Sequence, residues 1–345
     1  MLKVQANATL LREIYLTTEA IRSCLTNALD HSFPRPVFEK LNEFLCDEWD
    51  SAVPIRGFLT RLGYEVGGGC LRDIVEVAAA IELAQLATLV VDDVIDRSEV
   101  RSGWSAYKVF GEGVSLLAGE MLKSCSSALL AKALEQKTHF VNPLRALRQF
   151  EIMYERINVG QLLDLLYESS PGISEREYLR MTRLSTGGFL EGSAAIGSTL
   201  SGAPDHLQKL LRNYACCLGI GLQIYDDVLD LFPQPGRTKP FANDLKRRKQ
   251  RLPLIHFLHT CSPRERGKVD RILGKERITD KDAEIVARLL VQQGSAQYAL
   301  RRAKEFCSRA LFSAARITPA SVRHLLVGLV DFIPPEDASW LETGL

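Results

Sequence analysis

The chain is first informative in what it lacks. Its start, MLKVQANATLLREIYL, has no basic stretch followed by an apolar block and a small-residue cleavage site, so a secretory signal is not expected. No window reaches the roughly eighteen apolar residues that a membrane-spanning helix needs. The eight cysteines (24, 46, 70, 125, 216, 217, 261 and 307) form no CxxC pair and have no histidine at zinc spacing. Neither a disulfide framework nor a structural zinc is therefore expected, and reduced thiols in a cytosolic protein are. Charge of one sign is also missing: 43 basic and 42 acidic residues leave a net charge of +1, which gives no electrostatic reason to expect nucleic acid or an anionic membrane as partner. Runs of alternating polarity between hairpin turns are absent as well, so strands are not needed.

What is present reads as helix. Hydrophobic residues make up 46% and charged residues 25% of the 345, the balance of a globular protein with a large core, here taken as one domain over 1–345. Segments 73–96, 118–134, 143–168, 175–200, 205–232 and 282–311 are long and rich in Leu, Ala, Glu and Arg. The breaks fall at SFPRP, SSPG, SGAPD, FPQPGRTKP, CSPRERG and TPAS. The expected fold is all-α, an array of helices. Segments 73–96 and 205–232 are apolar around most of their circumference, which puts them inside the array.

Both of these buried segments end in the same acidic pattern, DDVID at Asp92 to Asp96 and DDVLD at Asp226 to Asp230. Residues four apart share a helix face, so Asp92 projects with Asp96 and Asp226 with Asp230, while Asp93 and Asp227 are rotated away. On an exposed helix one DDxxD is a solvated acidic patch. Here the flanks are apolar, and clustered carboxylates in a partly dry site take up protons unless a cation neutralises them. Oxygen-only ligands select hard ions, Mg²⁺ first, and Mg²⁺ completes its shell with water and substrate phosphate oxygens. The pair of motifs therefore points to a phosphate ester held through metal.

The chain resembles the trans-isoprenyl diphosphate synthase, or polyprenyl synthetase, family, which includes farnesyl and geranylgeranyl diphosphate synthases. The carriers of the resemblance are EVAAAIELAQLATLVVDDVIDRSEVRSG, VGQLLDLLYE, STGGFLEGSAAIG, LQIYDDVLD and GRTKPFANDLKRRKQRLPLIH, in the family's order from about Ile55 to Ile255. The resemblance implies an isoprenoid synthase fold around a central cavity, usually a homodimer, with the two aspartate motifs facing across the cavity mouth. It implies that Mg²⁺ on Asp92, Asp96 and Asp226, supported by Asp93, Asp227 and Asp230, binds an allylic prenyl diphosphate and assists its ionisation to a carbocation. Gln161, Asp164, Gln223 and Tyr225 match positions lining the site. Arg101, Lys239 and Lys249 match basic groups of the diphosphate clamp. The neighbouring Lys246, Arg247, Arg248 and Arg251 are expected to be solvated surface charges.

Departures from the family pattern fall at three cationic positions, two of them, 53 and 102, in the isopentenyl diphosphate subsite and one, 185, at the allylic diphosphate. In SAVPIRG, the counterpart of the family's GGKRxRP, Arg56 is kept but Val53 replaces the lysine that grips isopentenyl diphosphate. Gln85 fills a position where histidine or glutamine contacts the same substrate. Ser102 replaces the second arginine of the family's RRG, and Ser185 replaces the lysine of its KT motif. A charge-assisted contact contributes about 1.5–3 kcal/mol, so two losses weaken that subsite by about two orders of magnitude. Small residues at Ala87 and Thr88, four or five positions before the first aspartate, suit a cavity for a fifteen- or twenty-carbon chain, unless Ala87 serves close helix packing and Met121 or Leu122 forms a floor.

Three functions follow. The leading expectation is a repurposed enzyme that ionises the allylic diphosphate and then cyclises it, as a terpene synthase does, or transfers it to an acceptor such as an indole. The alternative is a conventional chain-elongating synthase using isopentenyl diphosphate. The third, a catalytically silent partner of a heterodimer, gives no reason to keep six carboxylates beside apolar helices.

Overall fold

A computed structural model of the chain describes residues 8–29, 33–39, 41, 53–100, 103–170, 172–232 and 241–331. Those residues are almost entirely α-helical, as the sequence implies, and their only extended pairing is an isolated bridge between Val100 and Trp104. The first helix, α1 (Ala8–Leu29), buries Leu10, Ile14, Thr17, Ile21, Leu25 and Leu29, the three- and four-residue spacing of one apolar stripe. Helices α2 (Ile55–Val66), α3 (Leu71–Ile95) and α4 (Ala106–Gln136) pack against it, and α5 (Pro143–Glu168) follows. The array continues with α6 (Glu175–Leu184), α7 (Thr186–Leu200), α8 (Asp205–Leu229), α9 (Asn243–Lys246), α10 (Leu252–Thr260), α11 (Pro263–Leu273), α12 (Asp280–Gln292), α13 (Ser295–Ala314) and α14 (Ala320–Val330).

The two helices expected in the interior are there. Helix α3 packs against α2 and α4, and α8 against α7 and α13. Contrary to the expectation from runs alone, both α3 and α4 are long and apolar enough in composition to cross a membrane. In α3 this follows from its place in the core, where 67% of its most apolar window is covered by neighbouring helices; in α4 the covered share is 33%.

Two expected segments are each divided. Segment 175–200 breaks at Ser185, whose ψ of −104° is non-helical, just ahead of Thr186-Gly187-Gly188, residues of weak helix propensity. Segment 282–311 breaks at Gly294, which adopts a φ of 71° that favours glycine and turns the chain from α12 into α13. Segment 118–134 instead extends back to Ala106, with a kink at Gly111. All seven described cysteines are free thiols, and Cys46 lies outside the described residues.

Close packing of small residues positions the site. Helix α7 lies directly on α2, and a Cβ added at Gly197 would come within 2.0 Å of the Thr60 carbonyl oxygen and 2.9 Å of the Tyr64 nitrogen. Ser193 and Ser198 on the same buried helix donate to the carbonyls of Phe189 (2.8 Å) and Ala194 (2.9 Å), so their hydroxyls are satisfied without water. Because the atoms facing Gly197 are backbone, they yield little. Gly197→Ala should destabilise the fold by about 2 kcal/mol or more, read as a lower urea midpoint with unchanged slope; wild-type stability in this variant would contradict the contact.

Candidate active site

The two acidic motifs occupy the C-terminal ends of α3 and α8, with Asp96 and Asp230 as the capping residues. This is the unfavourable end for an anion, because the last carbonyls already carry partial negative charge. Burial adds to the cost: Asp93, Asp227 and Asp230 are 1%, 2% and 5% exposed, Asp92 and Asp96 are half-buried, and Asp226 alone is open to solvent. Asp226 and Asp230, expected to project together, therefore differ. The Asp230 carboxylate is drawn towards the following segment and accepts the Asp244 backbone N–H at 2.9 Å, while Ala242 N–H donates to the Asp230 carbonyl at 2.8 Å.

Each wall is held by neutral donors at its back. Gln161 on α5 donates its amide to Asp92 at 2.9 Å. On the other wall the Tyr178 hydroxyl donates to Asp227 at 2.6 Å and the Gln223 amide at 2.9 Å, and Thr186 donates to the Gln223 amide oxygen at 2.6 Å. Burial pushes the Asp227 carboxyl up to about 7 against the opposing pull of Arg251. Burial and the neighbouring Asp92 raise Asp96 to about 6, with Lys249 and Arg247 opposing. Tyr225 is buried, 5% exposed, within the apolar cluster that α8 shares with its neighbours.

The space between the walls is crossed by cations, and here the structure corrects the reading of the basic run. Arg247 and Arg251 are not solvated surface charges. Arg247 lies 2.6 Å from Asp96 and 3.8 Å from Glu168, and it donates to the backbone carbonyls of Asp96 and Ile95 at the end of α3. Arg251 reaches Asp164 at 2.5 Å, Asp244 at 2.8 Å and Asp227 at 3.6 Å. Lys249, 3% exposed, bonds Asp164 at 2.6 Å and lies 3.4 Å from Asp96. Arg248, with a φ of 59°, turns out of the site and donates to the Leu273 carbonyl at the end of α11. Lys246 pairs with the exposed Asp280, in keeping with a surface charge. Asp164 pairs with two of these cations: burial alone would raise its carboxyl, but Arg251 and Lys249 hold it down to about 2.

At the other subsite Arg56 is kept in an unusual setting. Its guanidinium lies over the Phe189 ring, 4.8 Å from the centroid, and its Nε is buried without a hydrogen-bond partner. Burial lowers its pKa, and the buried Glu82, which accepts the Gly57 N–H at 2.6 Å, partly restores it. Val53 packs against the apolar cluster of α2, α8 and α13. Gln85 is half-buried on α3, and its carbonyl accepts the Thr88 hydroxyl at 2.7 Å. Ala87 is fully buried with Ala118 and Leu122, and a Cβ added at Gly119 would meet Val91 at 2.6 Å, so within the chain Ala87 serves close packing of α3 on α4. Arg101, Ser102 and Lys239 lie outside the described residues.

The donor set suits a hard divalent ion. All candidate ligands are carboxylate oxygens, and Asp96 Oδ1 and Glu168 Oε1 are buried atoms without a hydrogen-bond partner. Among the described residues no three metal-binding side chains converge on one position. An ion held here would therefore share its shell with groups beyond these described side chains.

Comparison with known proteins agrees with this architecture. The polyprenyl synthetase family model matches residues 53–290. A geranylfarnesyl diphosphate synthase of Aeropyrum pernix is 31% identical over 285 residues, covering 81% of this chain and 88% of that one. A geranylgeranyl diphosphate synthase of Methanosarcina mazei is 29% identical over 94% of this chain and 97% of its own. Among solved structures, a Geoglobus acetivorans geranylgeranyl pyrophosphate synthetase superposes with a TM-score of 0.80 at 27% identity, covering 93% and 98% of the two chains. A Caulobacter crescentus polyprenyl synthase, complexed with calcium and isoprenyl diphosphate, shares the fold with a TM-score of 0.85 at 23% identity, covering 94% and 96%. The chain belongs to the polyprenyl synthetase family and is a prenyltransferase of the isoprenyl diphosphate synthase type.

Removing the anchor of the buried cations should be costly. Asp164→Asn leaves Lys249 and Arg251 without their shared carboxylate and is expected to destabilise by about 3–5 kcal/mol at neutral pH. Because the folded Asp164 pKa is depressed, its contribution is full above the ordinary carboxylate range and is lost as pH falls towards about 2. Urea unfolding of both proteins at pH 7 and pH 3 should therefore show the difference narrowing at pH 3; a constant difference would contradict the pairing.

Proposed function

We propose that the protein is a chain-elongating prenyl diphosphate synthase, joining an allylic prenyl diphosphate to isopentenyl diphosphate. The carrying observation is the pair of acidic helix ends with a basic segment between them; Arg56, half-buried on α2, adds a further cation whose Nε has no hydrogen-bond partner. That unspent Nε suits a further anionic group at the isopentenyl subsite and favours elongation over cyclisation or transfer to an indole. The relatives above, both synthases of prenyl diphosphates, support the same choice and weigh against the repurposed enzyme.

In this reading Asp92, Asp96 and Asp226 would hold Mg²⁺, which supplies Lewis-acid assistance to the departing diphosphate when bound. The chain's own residues do the rest. Gln161 keeps Asp92 oriented. The Thr186–Gln223–Asp227–Tyr178 relay fixes the second wall. Lys249, held by Asp164, provides positive charge where negative charge develops on the leaving group. Apolar packing around α3 and α8 keeps water from the allylic cation. Val53 and Ser185 leave the two diphosphates with fewer cations than the family pattern, so weak isopentenyl diphosphate binding is expected.

The enzyme is read as a homodimer. Helix α5 exposes Leu144, Ile152, Val159, Leu162 and Leu166 along one face, with Leu162 and Leu166 59% and 63% exposed, and α4 exposes Val114, Leu117 and Met121. An apolar stripe of this extent fits a second copy better than water.

Purified enzyme with Mg²⁺ and geranyl or farnesyl diphosphate should form longer prenyl diphosphates only when isopentenyl diphosphate is added, and EDTA should abolish turnover. Hydrocarbon or alcohol products formed without isopentenyl diphosphate would reject the elongation reading.

A further inference from the structure

The first aspartate motif already holds a cation that belongs to the protein. Arg247 Nη2 is 2.6 Å from Asp96 Oδ1, and the same guanidinium donates to the carbonyls of Ile95 and Asp96, so it also caps the negative end of α3. The contact to the carboxylate is close without being a well-aligned hydrogen bond, and both Asp96 Oδ1 and Arg247 Nε are buried atoms lacking one. Neither partner is fully satisfied by the other. Glu168, 3.8 Å away, also leaves its Oε1 without a hydrogen bond. The guanidinium is thus seated on a carboxylate that the proposed function assigns to metal, in a geometry that leaves donor and acceptor capacity for new partners.

We infer that Arg247 is a resident counter-ion that competes with metal for Asp96 and makes metal loading await the diphosphate. The inference rests on the reading of Asp92, Asp96 and Asp226 as the metal-holding groups. Two observations carry it. In the empty enzyme an ion must displace Arg247 from Asp96, and its apparent affinity is reduced by the fraction of molecules in which the guanidinium is away. In addition, no three metal-binding side chains among the described residues converge on one position, so protein ligands alone form a poor shell. A diphosphate removes both obstacles. It adds oxygen ligands for the ion, and it offers the guanidinium fork a pair of phosphate oxygens in exchange for the carboxylate. Arg247 then changes from competitor to diphosphate ligand, adding a cation to a site whose sequence has serine at 185 in place of the family's lysine. Its sequence neighbour Lys246 is engaged with Asp280 and takes no part.

The test is a Mn²⁺ titration of the full-length protein, with free Mn²⁺ read by EPR, without substrate and then with inorganic pyrophosphate. Wild type should bind Mn²⁺ weakly alone and much more tightly with pyrophosphate. Arg247→Ala and the better-packing Arg247→Gln should each bind Mn²⁺ alone about tenfold more tightly than wild type, and with pyrophosphate they should bind no better than wild type or worse. Circular dichroism establishes that the variants fold, and Lys246→Ala should follow wild type throughout. Equal or weaker Mn²⁺ binding by both folded Arg247 variants without pyrophosphate would overturn the inference. If wild type takes up no Mn²⁺ even with pyrophosphate, the assignment of the aspartates to metal fails, and this inference fails with it.

Discussion

Carboxylates at the C-terminal ends of two buried helices are the constraint from which the rest of this structure follows. Burial and neighbouring carboxylates oppose ionisation of Asp96 and Asp227, and their raised pKa values express that opposition. The chain answers with a short basic segment, Arg247 to Arg251, folded back between the walls, and with Asp164 beneath it as an anchor. What is left over is a site in which three cations, Arg247, Lys249 and Arg251, face a larger number of carboxylates, so that it stays acidic and gains from a ligand that brings metal.

The scaffold exists to hold those helix ends in place. Helices α2, α7 and α8 approach so closely that their contacts are made by backbone and small side chains, with Gly197 against Thr60 and Gly219 against Thr186 and Gly187. Contacts of this kind have little play. Ser185, at the junction of α6 and α7, sits in the same layer: its amide lies 2.7 Å from where a Cβ on Gly160 would be, one residue before Gln161 on α5. Backbone packing, hydrogen-bond relay and acidic wall therefore form one connected unit, and the position where the family pattern has a lysine is part of that packing.

Much of this was legible in the sequence, for identifiable reasons. Helical content and the interior placement of α3 and α8 follow from apolar residues around the whole circumference, and the acidic motifs announce themselves by repeating at the ends of those two segments. The break at Gly294 lies between residues of helical composition, with the glycine itself as its one mark, whereas the break at Ser185 is signalled by the weak helix formers Thr186, Gly187 and Gly188 that follow it. The roles of Arg247 and Arg251 were hidden for a different reason: their partners are distant in sequence, Asp96 by 151 residues and Asp164 by 87, and a charge run gives no sign of the surface it covers. The available clue was complementarity, since clustered buried acids require cations from some segment, and KRRKQR follows the second motif after a proline-rich turn. Valine at 53 and serine at 102, where the family pattern has cations, point to an eroded isopentenyl subsite, and under the proposed function Arg56 is the cation that remains there.

The most direct test of this account is a crystal structure with Mn²⁺ and pyrophosphate, the metal located by its anomalous scattering. The account predicts metal between the two helix ends, bound by Asp92 or Asp96 on one side and Asp226 on the other and completed by pyrophosphate oxygens, with Lys249 against the phosphates. Pyrophosphate and metal bound elsewhere, with both aspartate motifs still closed on their own basic residues, would contradict it.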